Sequence, residues 1–105
     1  MILPKGWKAE IYCEVFGEKR LGEKWLLECF KLVEIENTRI PIPRLGDYIR
    51  FGEIDVKVTK VKFDYPKCTV CLWVTADLLG RFTARKLKGF IQNLQFFATK
   101  MKEVL

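Results

Sequence analysis

Four cysteines, thirteen carboxylates and nineteen basic side chains are the groups with which this 105-residue chain could do chemistry; it has no histidine and no serine. Those absences remove a serine nucleophile, a histidine general base and every histidine metal ligand. Cys68-Thr69-Val70-Cys71 has the C-x-x-C spacing. At a helix start that spacing makes a redox pair, and in a knuckle it supplies half of a zinc site. Here it falls in a segment that reads as a strand, whose alternation sends residues 68 and 71 to opposite faces. No second C-x-x-C exists, so Cys13 and Cys29 would have to complete any ligand set. The four thiols therefore read as small buried hydrophobes, and neither metal nor cofactor is expected. Glu34 with Glu36, or Asp47 with Asp55, would pair as acid and base, yet nothing in their spacing selects them. With no phosphate-binding glycine loop either, the expectation is a protein that is not an enzyme.

The distribution of charge points elsewhere. Residues 80–105 carry six basic side chains (Arg81, Arg85, Lys86, Lys88, Lys100, Lys102) and one acid, Glu103, which is +5 of a total of +6. The first 79 residues are almost neutral. Charge gathered on one element suits an anionic partner. The same stretch carries the clearest helical pattern, with apolar residues at Leu87, Phe90, Leu94, Phe97, Met101 and Val104. Arg81, Arg85 and Lys88 form one stripe of that helix, continued by Gln92, Gln95 and Thr99 and opposite Leu87, Leu94 and Met101. Cations at a helix start oppose the macrodipole, at roughly 0.3–1 kcal/mol each when exposed. That arrangement serves an anion better than it serves the helix. A second basic group runs through the centre: Arg39, Arg44, Arg50, Lys57, Lys60, Lys62 and Lys67. Tyr48, Phe51, Tyr65 and Trp73 are interleaved with it. Cations beside rings grip a single strand by phosphate contact and stacking. Acids are mixed into that stretch, and the face of Trp73, Thr69 and Cys71 is expected to lie under the terminal helix.

These groups must be positioned by a small β-rich body. Residues 8–16 alternate as a strand. Residues 25–36 fit a helical face or a strand buried on both sides; the strand is favoured because it would pair with 8–16 as a hairpin. Pro41 and Pro43 forbid helix before the Gly46-Asp47 turn. Residues 48–51 and 54–63 make two further strands around a Gly52-Glu53 turn, with a change of phase near Thr59-Lys60 that signals a β-bulge. A fifth strand covers 68–75. Asp77 opens the helical region, with Gly80 as a break and Thr83 as an N-cap. The segment Pro43-Arg44-Leu45-Gly46-Asp47-Tyr48-Ile49, with Val56, Val58, Val61 and Phe63 after it, resembles the core of SH3-like small barrels; that resemblance implies a barrel and no function.

The expected architecture is therefore α+β and β-rich: a small antiparallel barrel or curled sheet with one long C-terminal amphipathic helix. It forms a single domain over 1–105, with a β-rich body at 1–76 and the basic helix at 77–105. Its core should include Ile11, Val15, Ile49, Val56, Val58, Val70, Leu72, Leu87, Phe90 and Leu94. A helix over 83–104 would be about 33 Å long at ~1.5 Å per residue, enough to overhang a small body. The leading expectation is a binding module for nucleic acid using Arg81, Arg85, Lys86 and Lys88 with Arg44 and Arg50. The alternative is an assembly protein that meets a second copy or another protein through Phe97, Met101 and Leu105. No apolar run is long enough to span a membrane and no secretory leader is evident, so a cytoplasmic setting is expected.

Overall fold

A computed structural model of the chain describes residues 4–18, 22–36, 42–78 and 83–104. Five strands precede one helix: β1 (Lys8–Glu18), β2 (Lys24–Glu36), β3 (Tyr48–Phe51), β4 (Ile54–Asp64), β5 (Thr69–Leu78) and α1 (Ala84–Val104). The strands form one sheet in the order β2-β1-β5-β4-β3. β2 and β3 are its two edges, so the sheet is open, and the curled-sheet form of the expectation applies. Residues 25–36 are strand and pair with β1 as a hairpin.

The sheet is mixed where an antiparallel one was expected. A β1–β2 hairpin and a β3–β4–β5 meander lie side by side, joined by a parallel pairing of β1 with β5. Parallel neighbours need a long connection, and the whole of β2 to β4 supplies it. The parallel ladder runs as far as Gly17↔Leu78, so Asp77 belongs to β5 and does not open the helix. The described helix begins after Thr83, whose hydroxyl accepts the Lys86 N–H at 3.1 Å as the N-cap.

Alternation sorts the sheet into two faces. On β1, Ala9, Ile11, Cys13 and Val15 are buried; on β5, Val70, Leu72, Val74, Ala76 and Leu78. β4 contributes Val56 and Val58 to the same face, and α1 covers it with Leu94 and Ala98, both fully buried. The helix packs on β2 and reaches β3. Seven of the ten expected core residues are buried; Ile49, Leu87 and Phe90 pack against the core partly exposed.

Two local devices shape the surfaces of the sheet. A two-residue Gly52-Glu53 turn joins β3 to β4, with Gly52 at φ +67°. Glycine in the first position of such a turn suits the II′ form. A Cβ here would also come within 2.5 Å of the Phe97 ring, so that ring would have to move aside. The second device is the bulge at Thr59. Val58 pairs with Val74, but Lys60 pairs with Trp73 and Val61 with Leu72. The extra residue returns Val61 to the apolar side. It also sends Lys60 and Lys62 to the same face as Lys57.

Candidate functional site

The face opposite α1 carries the groups with binding chemistry. β1 presents Glu10, Tyr12, Glu14 and Phe16 there; β5 presents Cys71, Trp73, Thr75 and Asp77. β4 adds Lys57, Lys60 and Lys62, and β3 adds Tyr48 and Arg50. The expectation that Trp73 lies under the terminal helix is not met. Trp73 alternates with the buried Leu72 and Val74, and those take the helix side.

Parallel pairing sets Tyr12 directly beside Trp73. Their rings are 5.4 Å apart at an interplanar angle of 20°, and the Lys60 ammonium lies 4.8 Å from the indole centroid. Tyr12 is fixed from its other end, since its hydroxyl donates to Glu10 Oε2 at 2.8 Å. Glu10 Oε2 also receives Lys31 Nζ at 2.9 Å, which reaches Glu34 at 3.2 Å; Lys8 closes the network on Glu34 at 2.8 Å. The Lys31 ammonium, and after it the Tyr12 hydroxyl, hold the Glu10 carboxyl below its ordinary value of 4.5. Glu34 is lowered in the same way, by Lys8 first and then Lys31.

A carboxylate whose folded-state value is depressed adds stability above its unfolded value, and that stability is lost as pH falls through the depressed one. Melting temperature should therefore drop from near pH 4.5 downwards, and the difference between the wild type and Glu10→Gln should close over the same interval. A difference that stays constant from neutral pH to about pH 3 would show that the ionised network contributes nothing.

The face is divided by charge. Its β1–β2 side holds Glu10, Glu14 and Glu34, with Lys8 and Lys31 already engaged by them. On the β3–β4 side Arg50 grips Asp55 through two contacts, at 2.9 and 3.3 Å. Among the described residues Lys57, Lys60 and Lys62 have no ion-pair partner. They occupy one row along about 13 Å of strand at ~3.3 Å per residue.

The residues singled out from sequence fall in separate places. Arg85, Lys86 and Lys88 are exposed at the start of α1, whose first turn holds no acid. They lie on the side of the sheet away from Trp73. Arg81 and Leu105 lie outside the described residues. Arg44 is exposed in the turn before β3, where its backbone N–H donates to Asp47 Oδ2 at 2.8 Å. Arg50 reaches the open face but is committed to Asp55. Of the rings interleaved with the central cations, Phe51 is buried and Tyr65 packs against Trp7 and Phe63; Tyr48 and Trp73 remain on the open face.

On the helix, Phe97 covers Gly52 and Met101 packs against the core. Phe96 projects furthest from α1, 56% exposed with Lys100 Nζ 5.6 Å from its centroid, and Phe97 beside it is still 37% exposed. Tyr12 and Phe16 do not stand out in the sequence as site residues. Alternation with Ile11, Cys13 and Val15 already puts them on the face away from the core, but only the pairing of β1 with β5 brings Tyr12 to Trp73.

The cysteines do not assemble. Cys13 is fully buried, and burial pushes its thiol up to about 12. Cys29 and Cys68 are exposed and Cys71 is half-buried, so only Cys13 fits the expectation of buried thiols. No group of three or more metal-ligating side chains occurs among the described residues.

Fold and face together define an α+β protein with a mixed five-stranded sheet, one face sealed by a helix and the other bearing aromatic and basic side chains. No protein family, curated protein or solved structure matches the chain.

Proposed function

We propose that this chain is a non-enzymatic binding module for single-stranded nucleic acid, engaged through the helix-free face of its sheet. The observation that carries this reading is the Tyr12–Trp73 pair with Lys60 over the indole, in line with Lys57 and Lys62. Every base has a π-face to lay on a ring, and every linkage brings a phosphate to a cation. The Lys60 ammonium sits on a flexible four-carbon stem, so a base can take its place over Trp73 while it turns to the phosphate. A duplex offers its bases edge-on in grooves and cannot use a flat ring platform in this way. We place the protein in the cytoplasm, a setting suited to four unpaired thiols. No helix among the described residues is long and apolar enough to cross a membrane.

The test is fluorescence-anisotropy binding of single-stranded and duplex oligonucleotides at about 50 and 200 mM salt. Three phosphate contacts give a log–log salt slope near 2, at ~0.7 per contact on a single strand. Replacing Lys57, Lys60 and Lys62 by Ala together should remove most of that slope and about tenfold or more of the affinity. If that variant keeps both, while the corresponding Arg85, Lys86 and Lys88 variant loses them, the anion site is the helix start. A second reading, assembly through α1, rests on the exposed Phe96 beside Lys100. It leads if no oligonucleotide binds and a dimer that sediments as such is lost with Phe96→Ala.

A further inference from the structure

The open face is not flat. A depression of about 400 Å³ lies at its end, lined by Phe16, Lys24, Tyr48, Asp55, Lys57, Thr75 and Asp77. The topology explains why it is there. The β4–β5 ladder ends at Lys57↔Thr75. Beyond that point Ile54–Val56 continue with β3, and residues 76–78 continue with β1. The sheet forks, and the depression is the fork.

Its lining suits a flat heteroaromatic with a polar edge. Phe16 and Tyr48, the latter 68% exposed, supply ring surface. Both Asp55 oxygens are taken by Arg50. Asp77 is different. Lys24 Nζ meets its Oδ2 at 2.9 Å, and among the described residues its Oδ1 accepts no hydrogen bond. The fork thus holds an open carboxylate acceptor with an ammonium donor beside it, and Lys57 carries a second ammonium at the rim.

We infer that the fork is a nucleobase subsite that selects guanine within a single strand, an inference that rests on the nucleic-acid reading. A carboxylate only accepts hydrogen bonds and an ammonium only donates them. On its Watson–Crick edge guanine places two N–H donors, N1–H and the 2-amino group, beside the O6 acceptor. That order matches Asp77 and then Lys24. Thymine and uracil flank their one N–H with two carbonyls, which a carboxylate repels. Adenine and cytosine each offer one donor beside a ring nitrogen that accepts. Edge readout of this kind is how proteins choose bases in unpaired strands. Lys57 opens the lysine row, so a base in the fork leads its phosphates towards Lys60 and Lys62, and its neighbours towards Trp73.

The experiment compares labelled thymidine oligomers of about ten nucleotides, a length within the usual single-strand site sizes. One central base is thymine, guanine, adenine, cytosine or hypoxanthine. Guanine should bind roughly tenfold tighter than thymine, in the range of one good bidentate base contact. Hypoxanthine, which lacks the 2-amino group, should lose much of that advantage without any change to the protein. Asp77→Asn should bring the guanine-to-thymine ratio close to one. Equal binding of all five oligomers, or a guanine advantage that survives both hypoxanthine and Asp77→Asn, overturns the subsite while leaving the stacking face intact. Failure of every oligomer to bind overturns the underlying reading, and the subsite with it.

Discussion

Trp73→Ala is expected to weaken single-strand binding by about tenfold to a hundredfold, because a base–aromatic stack is worth roughly 1–3 kcal/mol. The effect should fall mainly on dissociation, since the charged row that guides encounter is untouched. The substitution also removes the contact with Tyr12, and ring pairs contribute about 0.5–1.5 kcal/mol to stability. A modest fall in melting temperature should accompany the loss, so the comparison belongs at a temperature where both proteins are folded. Trp73→Phe keeps a ring in place and should recover a large part of the affinity. A folded alanine variant that binds as the wild type does would show that Trp73 is no stacking platform. In that case the affinity would trace to phosphate contacts alone, and its salt slope would be unchanged.

The largest effect on stability is expected from Leu94→Ala. Leu94 is the leucine of α1 that enters the core completely, at 0% exposure, whereas Leu87 on the same stripe is only half-buried. Deleting a side chain so placed removes its burial energy and leaves a cavity, at about 2–5 kcal/mol. A domain of this size has about 5–15 kcal/mol in total. Melting temperature should fall on the order of 10–20 °C. Phe96→Ala, two positions along on the exposed side, should change stability by only about 0.5 kcal/mol. Urea unfolding of the two variants checks the contrast. Equal midpoints would mean that α1 is not held to the sheet through Leu94.

Much of the sheet was legible because strands announce themselves locally. Alternation at Ile11, Cys13 and Val15 depends only on neighbours two apart, and the change of phase after Val58 marked the bulge at Thr59. Residues 25–36 fit a helix as well as a strand, and the pairing with β1 makes them a strand. The site was harder to read. Its cations and Trp73 stand out by type, but the excess of charge is largest on α1. A count of charge does not distinguish a cation already held by a carboxylate, such as Arg50, from a row without partners. It also does not say which face a helix will cover.

By itself the sequence determined most of the elements: four strands, a bulge, a capped C-terminal helix, and an apolar stripe centred on Leu94, with residues 25–36 open to strand or helix until paired with β1. Each rests on contacts within a few residues, where side-chain period and backbone sterics act directly. Only the tertiary structure decided that β1 runs parallel beside β5, that α1 takes the face of Val70, Leu72 and Val74, and that the sheet forks between Lys57 and Asp77. Those choices join residues some sixty positions apart, Tyr12 with Trp73 and Phe16 with Asp77. Their physical basis is the burial of one apolar face shared by the whole chain, a sum over distant residues that no local pattern contains.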